Sequence, residues 1–289
     1  EMVDASGNPV TCENVWISYF TGGRENMGEG YGKLTAGYGS RRVPSELGEK
    51  IGPEFTFGIY AQKALKEPIL IIKTAWGGKS IHTDFRPPSA GPYVFNENEL
   101  ENFKRRGKDI KEVKAEKTEQ TGRFYGLMMD HVKKVLADIK RVYPQYNEKK
   151  GYEVAGFAWF QGWNDAFGPE KGRSEYATNL VCLIRDVREE FKSPHLPVVV
   201  GELGNGGLKV GANIVAIREA QRAAVATESI KDNASFVSTT AFARAAEDSP
   251  NKTHGHHWFG NAESYFLIGD ALGRAMVELM DDTSGPAKP

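Results

Sequence analysis

The chain has 289 residues, and its 37 basic side chains nearly balance 38 acidic ones to leave a net charge of −1. A chain so close to neutral has no overall field that would favour nucleic acid or an anionic membrane surface, so we expect a small or neutral partner. The length suits one large domain, and no apolar run reaches the roughly 18 to 20 residues of a membrane-spanning helix.

The predicted elements alternate between apolar strands and amphipathic helices along the chain. Short apolar runs rich in β-branched and aromatic residues indicate strands at residues 15–20, 69–75, 154–160, 197–202 and 236–240. Amphipathic segments of helical length lie at residues 54–65, 124–142, 174–191, 213–227 and 262–279. Nearly all-apolar strands that alternate with helices are typical of a parallel sheet covered on both faces, so the predicted fold class is α/β with three α/β/α layers.

Two segments fall outside this alternation. The glycine-rich residues 21–39 indicate a loop, and residues 97–121, crowded with charges around few apolar side chains, indicate a solvated insertion or a mobile flap. Neither marks a boundary, so residues 1–289 are predicted to form one domain. Cys12 and Cys182 lie far apart and in no metal or redox spacing, which is compatible with two thiols or one disulfide.

The first candidate site segment is TAWGGKSI, residues 74–81, directly after a predicted strand. In parallel sheets, ligands bind beyond the carboxyl ends of the strands. Gly77 and Gly78 would let the backbone turn sharply and present bare N–H groups to a ligand oxygen. The alternative is a tight turn without a ligand. The phosphate-binding pattern G-x-x-x-x-G-K-[ST] is absent, since only residues 78–80 imitate its tail.

The second segment is FAWFQGWND, residues 157–165, which ends another predicted strand. Asn164 lies two residues after Gly162 and can aim its side-chain NH2 into the crevice beside the N–H of a glycine. Two such neutral donors would stabilise an oxyanion, and one is typically worth about 2.7–4 kcal/mol of barrier. Gln161 and Gly162 are candidate substrate contacts in the same turn. The alternative is an Asn-Asp turn that caps the next helix.

The third segment is THGHHWFG, residues 253–260, just before a predicted helix. A histidine at the crevice is the usual general base for a serine nucleophile, and His254, His256 and His257 are the candidates. Neighbouring histidines also ligate metals, but no Cys or carboxylate partner stands at ligand spacing. Structural, hydrogen-bonded histidines are the other alternative.

Tryptophans adjoin all three segments: Trp76, Trp163 and Trp258. Three indoles around one crevice would suit stacking on sugar rings, although a buried core position is the default for any one of them. His82, after the glycine turn, could line the pocket, whereas His131 and His195 are interpreted as structural or exposed.

Further polar residues have two interpretations each. Glu202, which ends a predicted strand, either reaches the crevice or caps the loop that follows. Arg218 and Gln221, one helical turn apart, either contact substrate or form a solvated helix face.

Together these segments resemble the sialate O-acetylesterase-like branch of the SGNH hydrolases, over about residues 15–280. The resemblance is carried by IKTAWGGKSI, WFQGWND and GHHWFGNAESYFLIGDALG in this order, with IGPEF at residues 51–55 and IREAQ at residues 217–221. It implies a flavodoxin-like fold, serine-dependent removal of acetyl groups from carbohydrates, no cofactor and no metal. An enzyme acting on polysaccharides would be secreted or periplasmic.

Carried over motif by motif, the resemblance implies roles for individual residues. The oxyanion glycine falls at Gly77 or Gly78, and the oxyanion asparagine at Asn164, with Gly162 shaping its turn. The base falls at His257, aligned by the aromatic residue and the GNAESY helix start that follow it.

The chain departs from the family pattern at the nucleophile. The expected block, Gly-Gln-Ser-Asn-Met after the first strand, does not occur in these 289 residues. One explanation places the nucleophile strand before Glu1. A second is a chain that has lost the block and binds glycans without chemistry, and a third uses Ser80, which falls after the glycines.

The chain also departs from the pattern at the triad acid. The family's acid lies three residues before the base, a position held here by His254. Either the base works in a dyad helped by a backbone carbonyl, or another carboxylate orients it, with Asp248 the nearest upstream candidate. A metal-dependent hydrolase that uses His254 and His257 is a further alternative.

Overall fold

The structure, a computed structural model, describes residues 2–23 and 25–284. Its strands are β1 Val15–Thr21, β2 Gly28–Lys33, β3 Ile69–Thr74, β4 Phe157–Trp159, β5 Val198–Gly201 and β6 Ala234–Val237. Its α-helices are α1 Pro53–Leu65, α2 Glu97–Arg105, α3 Ile110–Gln120, α4 Arg123–Ala137, α5 Ile139–Val142, α6 Trp163–Phe167, α7 Glu170–Ser174, α8 Tyr176–Glu190, α9 Ala212–Val225 and α10 Ala262–Ser284.

The strands form two groups of three, in the orders β2-β1-β3 and β4-β5-β6. β1 runs parallel to β3, with Ile17 opposite Ile71. The second group is parallel throughout. Only β2 runs antiparallel to its neighbour among the described strands. The predicted α/β class with a mainly parallel sheet is therefore confirmed.

Alternation along β1 shows how its two faces are covered. Ile17 and Tyr19 belong to a core cluster with Phe55 of α1, whereas Trp16 packs with Val135 of α4 and Val142 of α5. Successive side chains of a strand point to opposite faces, so α1 covers one face of the sheet and α4 and α5 cover the other.

Helices bridge the two groups of strands on each face. On one face α1, which covers β1 and β3, packs along α10, which covers β5 and β6. A Cβ atom on Gly269 of α10 would lie 2.1 Å from the Thr56 hydroxyl oxygen, so glycine allows this close approach. On the other face, α4 and α8 contribute Met128 and Leu180 to one core cluster. The two groups therefore share one layer between two layers of helices.

The glycine-rich segment predicted as a loop contains β2. Its glycines allow neighbouring chain to approach, because a Cβ on Gly28 would meet Pro44 at 3.1 Å and one on Gly30 would meet Arg41 at 1.9 Å. The charged segment predicted as an insertion or flap forms α2 and α3, whose residues are partly or fully exposed. Asn96 and Glu99 form a capping box on α2, and Asp109 caps α3. Side-chain caps rather than a buried face thus stabilise these helices.

Most other predicted elements occur with shifted ends. The helix predicted at residues 124–142 is broken at Asp138 into α4 and α5, and the one at residues 174–191 corresponds mainly to α8. The strand predicted at residues 236–240 lies at residues 234–237 as β6. β4 spans three residues where seven were predicted. Cys12 and Cys182 are both free thiols.

Candidate active site

The turn after β3 presents bare backbone to solvent. Gly77 and Gly78 are both exposed. Gly78 has φ +73°, a left-handed conformation that other residues adopt only with strain. A Cβ atom on Gly77 would meet no other atom within 4 Å. Packing therefore does not require glycine at position 77, and the space above its backbone is open to a ligand.

Asp165 joins this turn to the turn after β4. Its side chain is fully buried and accepts hydrogen bonds from the backbone N–H of Ile81 at 3.0 Å and of His82 at 3.1 Å. The amide of Gln161 donates to Asp165 Oδ2 at 2.7 Å and to the carbonyl of Lys79 at 3.0 Å. The two segments singled out in the sequence thus meet at the carboxyl ends of β3 and β4.

The buried environment of Asp165 changes the pKa of its carboxyl group. Burial raises the pKa of its carboxyl to about 6, although the hydrogen bonds from Gln161, Ile81 and His82 act in the opposite direction. Apart from the position of Asp165 directly after Asn164, no sequence signal indicates this role. Loss of its carboxylate would leave three buried donors without a partner.

Asn164 stands beside this network without belonging to it. Within the described part of the chain, its side-chain amide makes no hydrogen bond, and the residue is partly exposed. The geometry contradicts the alternative of an Asn-Asp turn that caps the next helix. α6 begins after Gly162 without a side-chain cap, and Asp165 bonds to Ile81 and His82 instead. The Asn164 amide is therefore free to bind a ligand.

The histidine segment forms a strained loop. Residues 255–260 include two consecutive non-glycine residues in the left-handed region, Trp258 at φ 52° and Phe259 at φ 53°. Such residues persist only where the surroundings hold them, and they concentrate at functional sites. Trp258, only 5% exposed, lies 6.4 Å from the ring of Phe160 and anchors the loop in the core.

Two hydrogen bonds fix the ends of this loop. The hydroxyl of Tyr265 donates to the carbonyl of His257 at 3.1 Å. The amide of the buried Asn205 donates to the carbonyl of Gly255 at 3.1 Å. The backbone around His257 is thus held in place while its imidazole stays exposed.

Ring contacts connect the histidines to the asparagine turn. The rings of His257 and His256 lie 4.3 Å apart, and His256 lies 5.7 Å from Trp163, the residue before Asn164. Although the His257 ring is largely exposed, its partial burial, followed by the charges of His256 and His254, lowers the pKa of His257. His257 is therefore neutral at neutral pH and able to accept a proton.

His254 has a different setting. Its Nδ1 lies 2.8 Å from Asn251 Oδ1 and 3.0 Å from the Thr253 hydroxyl. Its carbonyl accepts the N–H groups of His257 and Phe259. His254 thus shapes the loop.

The structure does not bring the expected triad acid to His257. Asp248 is exposed, and its hydrogen bonds are made by its backbone: the carbonyl accepts from Asn261, and the N–H donates to the carbonyl of Ala245. Glu202 does not reach the crevice either: its carboxylate accepts from Ser238, Thr239 and Thr240 after β6. Across the described residues, no carboxylate is hydrogen-bonded to the His257 ring.

The tryptophans divide between core and crevice. Trp258 is buried and offers no face to a sugar. Trp76 is partly exposed and packs 5.5 Å from Phe20 and 5.0 Å from Phe124. Trp163 is partly exposed beside Phe167, whose exposed fraction is 56%, and it directly precedes Asn164.

Gly162 and Gln161, predicted as substrate contacts, make contacts within the protein. A Cβ on Gly162 would lie 2.9 Å from Ile217 of α9, so the glycine serves close packing. Both N–H groups of the Gln161 amide are used by Lys79 and Asp165. Gln161 thus positions the turn.

Arg218 and Gln221 are structural as well. Arg218 donates to the carbonyls of Leu203, Asn205 and Gly207. Gln221 is fully buried, accepts the N–H of Leu203 at 2.9 Å and donates to the carbonyl of Gln161. Both side chains are therefore engaged in hydrogen bonds within the protein.

Two serines have polar partners that suggest a nucleophile. Ser18 Oγ lies 2.9 Å from His131 Nε2 and donates to Glu29 at 2.7 Å. However, Ser18 is fully buried, and burial lowers the pKa of His131 to about 4. Because the Ser18 hydroxyl donates its hydrogen bond to Glu29, the neutral His131 imidazole donates to the Ser18 oxygen. This arrangement is a buried hydrogen-bond network, not a nucleophile with its base.

Ser80 is likewise part of a turn. Its hydroxyl donates to Asp84 Oδ2 at 3.0 Å and accepts the N–H of Thr83. The residue is buried, and its hydroxyl is engaged within the turn. For the metal alternative, the described residues contain no group of three or more His, Cys, Asp or Glu side chains that could hold an ion.

Comparisons with known proteins place these features in context. The model of a carbohydrate esterase family, described as sialic acid-specific acetylesterase, matches residues 40–278. No curated protein sequence matches the chain at a significant level. Among solved structures, a protein from Arabidopsis thaliana is 17% identical with a TM-score of 0.52, covering 91% of this chain and 80% of its own.

A carbohydrate acetylesterase from Xanthomonas citri is also similar in structure. It is 16% identical with a TM-score of 0.54, and the match covers 93% of this chain and 49% of that enzyme. This chain therefore spans about half the length of the Xanthomonas protein. At such identities the likeness shows a common fold.

Proposed function

Because the chain belongs to the carbohydrate esterase family of sialic acid-specific acetylesterases, we propose that its site hydrolyses acetyl esters on a carbohydrate with a serine nucleophile. The observation that carries this proposal is the junction of two turns: Asp165 and Gln161 join the turn that contains Gly77 and Gly78 to the turn that contains Asn164. Backbone N–H and asparagine NH2 are the neutral donors that an oxyanion needs.

In the proposed reaction, the serine oxygen forms a bond to the acetyl carbonyl carbon while His257 takes the hydroxyl proton. The carbonyl electrons move onto oxygen, and the oxyanion is held by the N–H of Gly77 or Gly78 and by the Asn164 amide. Collapse breaks the bond to the sugar oxygen, which receives the proton from His257. Water then attacks the acetyl-enzyme by the same route, releasing acetate.

The serine of this proposal lies outside the described residues, because the expected Gly-Gln-Ser-Asn-Met block does not occur in them. Ser18 and Ser80, the two serines with suggestive partners, are committed to other bonds. We propose a Ser–His dyad, since the geometry gives Asp248 no contact with the His257 ring. Trp163 would stack on the sugar, and His254 would keep the loop in shape. No cofactor takes part in these steps.

The same proposal covers domain organisation and location. We propose that the chain forms one domain with the segment that carries the serine, and that the enzyme is exported to meet polysaccharide substrates. No helix of residues 2–23 and 25–284 is long and apolar enough to cross a membrane.

The test is acetate release from O-acetylated sugars by the full-length protein and two variants. His257→Ala should lower turnover by about 10³-fold or more, because the base is lost. His254→Ala should lower it less, because that ring contacts the loop and not the serine. The reverse order would show that the base is His254. Sugar binding without acetate release in the unsubstituted protein would favour a glycan-binding protein that lacks catalysis.

A further inference from the structure

An open cleft of about 420 Å³ lies between the end of α8 and the turn that follows α9. These two segments lead into β5 and β6, so the cleft lies near the amino ends of both strands. Asn164 follows the carboxyl end of β4, which runs parallel to β5. The cleft is therefore at the opposite end of the sheet from the turn of Asn164, and its volume is in the range of small-molecule sites.

Basic side chains dominate the lining of this cleft. The lining residues are Arg185, Arg188, Glu189, Lys192, Pro194 and Ser229, so three positive charges oppose one negative charge and leave a net charge of +2. Across residues 2–23 and 25–284, none of the three cations forms an ion pair with a carboxylate. The nearby Glu190 and Glu228 pair with Lys133 and Lys231 instead. The cleft therefore has a positive charge that the described side chains do not neutralise.

Arg188 is the buried member of this set, with an exposed fraction of 6%. Its Nε and Nη2 donate to the carbonyl of Leu196 at 3.2 Å and 3.0 Å, and Nη2 also donates to the carbonyl of Asn233 at 2.9 Å. The two N–H groups of Nη1 make no hydrogen bond within the described part of the chain, and Nη1 is not shut off from solvent. Because Arg188 lines the cleft, Nη1 faces into it.

A buried guanidinium normally has an anionic partner, because removing its charge from water is unfavourable and neutral carbonyls offset only part of this penalty. Burial lowers the pKa of the Arg188 guanidinium, and no neighbouring carboxylate counteracts this shift. Support of β5 and β6 explains the hydrogen bonds to Leu196 and Asn233. It does not explain the direction of Nη1 or the two exposed cations, Arg185 and Lys192, beside it. An anion in the cleft would accept from Nη1 and supply the negative charge.

We propose that this cleft binds a phosphate group, either as the free ion or as the ester of a small molecule such as a sugar. A phosphate monoester carries a charge of about −1.5 to −2 at neutral pH, which matches the net charge of +2 on the lining. Carboxylates and sulfate esters carry a single negative charge and would leave part of the positive charge without a partner. The match in charge therefore favours phosphate over these other anions.

The hydrogen-bond donors of the cleft also suit phosphate. Arginine and lysine form charge-assisted hydrogen bonds to phosphate oxygens, which are about twice as strong as neutral ones. Arg188 is already fixed by its carbonyl partners, so Nη1 donates with little further loss of side-chain freedom. Arg185, Lys192 and the hydroxyl of Ser229 lie at the exposed rim and complete the set of donors. The rest of the cleft leaves room for the molecule that carries the phosphate.

The probes are inorganic phosphate and the phosphate and sulfate esters of glucose at the same hydroxyl, titrated into the 289-residue protein by calorimetry at low salt. We expect saturable binding of phosphate or its ester, and binding of the sulfate ester at least about tenfold weaker than that of the phosphate ester. Tighter binding of the phosphate ester than of inorganic phosphate would assign the cleft to a phosphorylated sugar. The opposite order would assign it to the free ion.

A matched pair of lysine variants tests the position of the site. Lys192 and Lys66 are both exposed and both left-handed, with φ 50° and 57°. Glycine adopts this conformation without strain, so Lys192→Gly and Lys66→Gly should each keep or raise the melting temperature. Lys192→Gly should weaken phosphate binding about tenfold, because it removes a charged donor from the cleft. Lys66→Gly, which lies outside the cleft, should bind as the unsubstituted protein does.

A second variant and the melting temperature complete the test. Arg185→Gln removes another exposed cation of the cleft and should also weaken phosphate binding about tenfold. Phosphate should raise the melting temperature of the unsubstituted protein more than that of either cleft variant. Three results would each overturn the proposal: no saturable binding of either phosphate probe, equal binding of the sulfate ester, or unchanged phosphate binding in both Lys192→Gly and Arg185→Gln. None of these measurements depends on acetate release.

Discussion

Asn164 and Asp165 are adjacent residues with opposite surroundings, which makes them a matched pair for mutation. Asn164→Ala removes a donor with no structural partner among the described residues, so we expect turnover to fall by about 10²–10³ with an unchanged melting temperature. Asp165→Ala leaves the N–H groups of Ile81 and His82 and the Gln161 amide unpaired, so we expect destabilisation of about 2–4 kcal/mol.

Acetate release and urea unfolding measure these two effects. If Asn164→Ala unfolds the protein while activity per folded molecule survives, the residue is a turn cap. If Asp165→Ala leaves stability unchanged, the buried network does not hold the two turns together.

The proposed base determines the acid side of the pH profile. Burial and the neighbouring His256 and His254 lower the pKa of His257 below its usual value of about 6.5, so kcat/KM should stay high at neutral pH and fall only below that value. His256→Ala removes a cation from the neighbourhood at low pH. It should therefore move the acid limb to higher pH, measured as kcat/KM against pH for an acetyl ester. If the acid limb of kcat/KM lies at the same pH in His256→Ala as in the unsubstituted protein, His257 is not the titrating base.

At the scale of elements, the glycines of the two turns serve different purposes. Gly162→Ala places a methyl group 2.9 Å from Ile217 of α9 and should destabilise the protein by about 1–3 kcal/mol. Gly77→Ala meets nothing within 4 Å and should leave the melting temperature unchanged. Its methyl group would occupy the space proposed for the acetyl oxygen, so kcat/KM should fall about tenfold or more. Thermal unfolding together with acetate release distinguishes the two; equal effects on stability would contradict this division.

The elements also show why sequence reasoning succeeded in some places and failed in others. The strands β3 and β5 could be predicted from the sequence because each is mainly apolar on both faces. The strand predicted at residues 154–160 is reduced to β4 because its outer edge has no partner to extend the ladder. β2 was missed because its glycines, which allow residues 41–44 to approach, resemble a loop. α2 and α3 form within the segment predicted as a solvated insertion or flap, because side-chain caps stabilise these helices despite their exposed, charged composition.

Candidate site residues could be proposed from the sequence where the chemistry depends on a local motif. Gly77, Gly78, Asn164 and His257 were proposed from strand ends and residue types. Asp165 and Gln161 were not identified as positioning residues, because their partners lie about eighty positions away in sequence. Whether Trp76 or Trp258 faces a ligand or the core depends on tertiary packing, and the sequence carries no local signal for it.

For the molecule as a whole, acid should be destabilising. Burial lowers the pKa values of both His82 and His131 to about 4. Because the unfolded histidines bind protons near pH 6.5, the unfolded state takes up more protons between about pH 6.5 and 4, and stability falls as pH falls through this window. Asp165, with its pKa raised to about 6, opposes this effect, but one carboxyl is outweighed by two histidines.

Urea unfolding at about pH 7 and about pH 4.5 measures this dependence. We expect a lower midpoint at the acidic value, and a smaller difference in His131→Gln than in the unsubstituted protein. His195→Gln, at an exposed position, is the control and should retain the full difference. A midpoint that does not change with pH would show that the two histidines are not buried in their neutral form.

The open edge of β3 has a consequence for how the chain behaves during synthesis and storage. An apolar strand with unpaired N–H and C=O groups is a template for pairing with another chain, which proteins normally block with charges, prolines or a covering segment. Leu70 and Ile72, in the middle of this strand, carry none of these. Molecules of this chain should therefore associate through intermolecular β-pairing as their concentration rises.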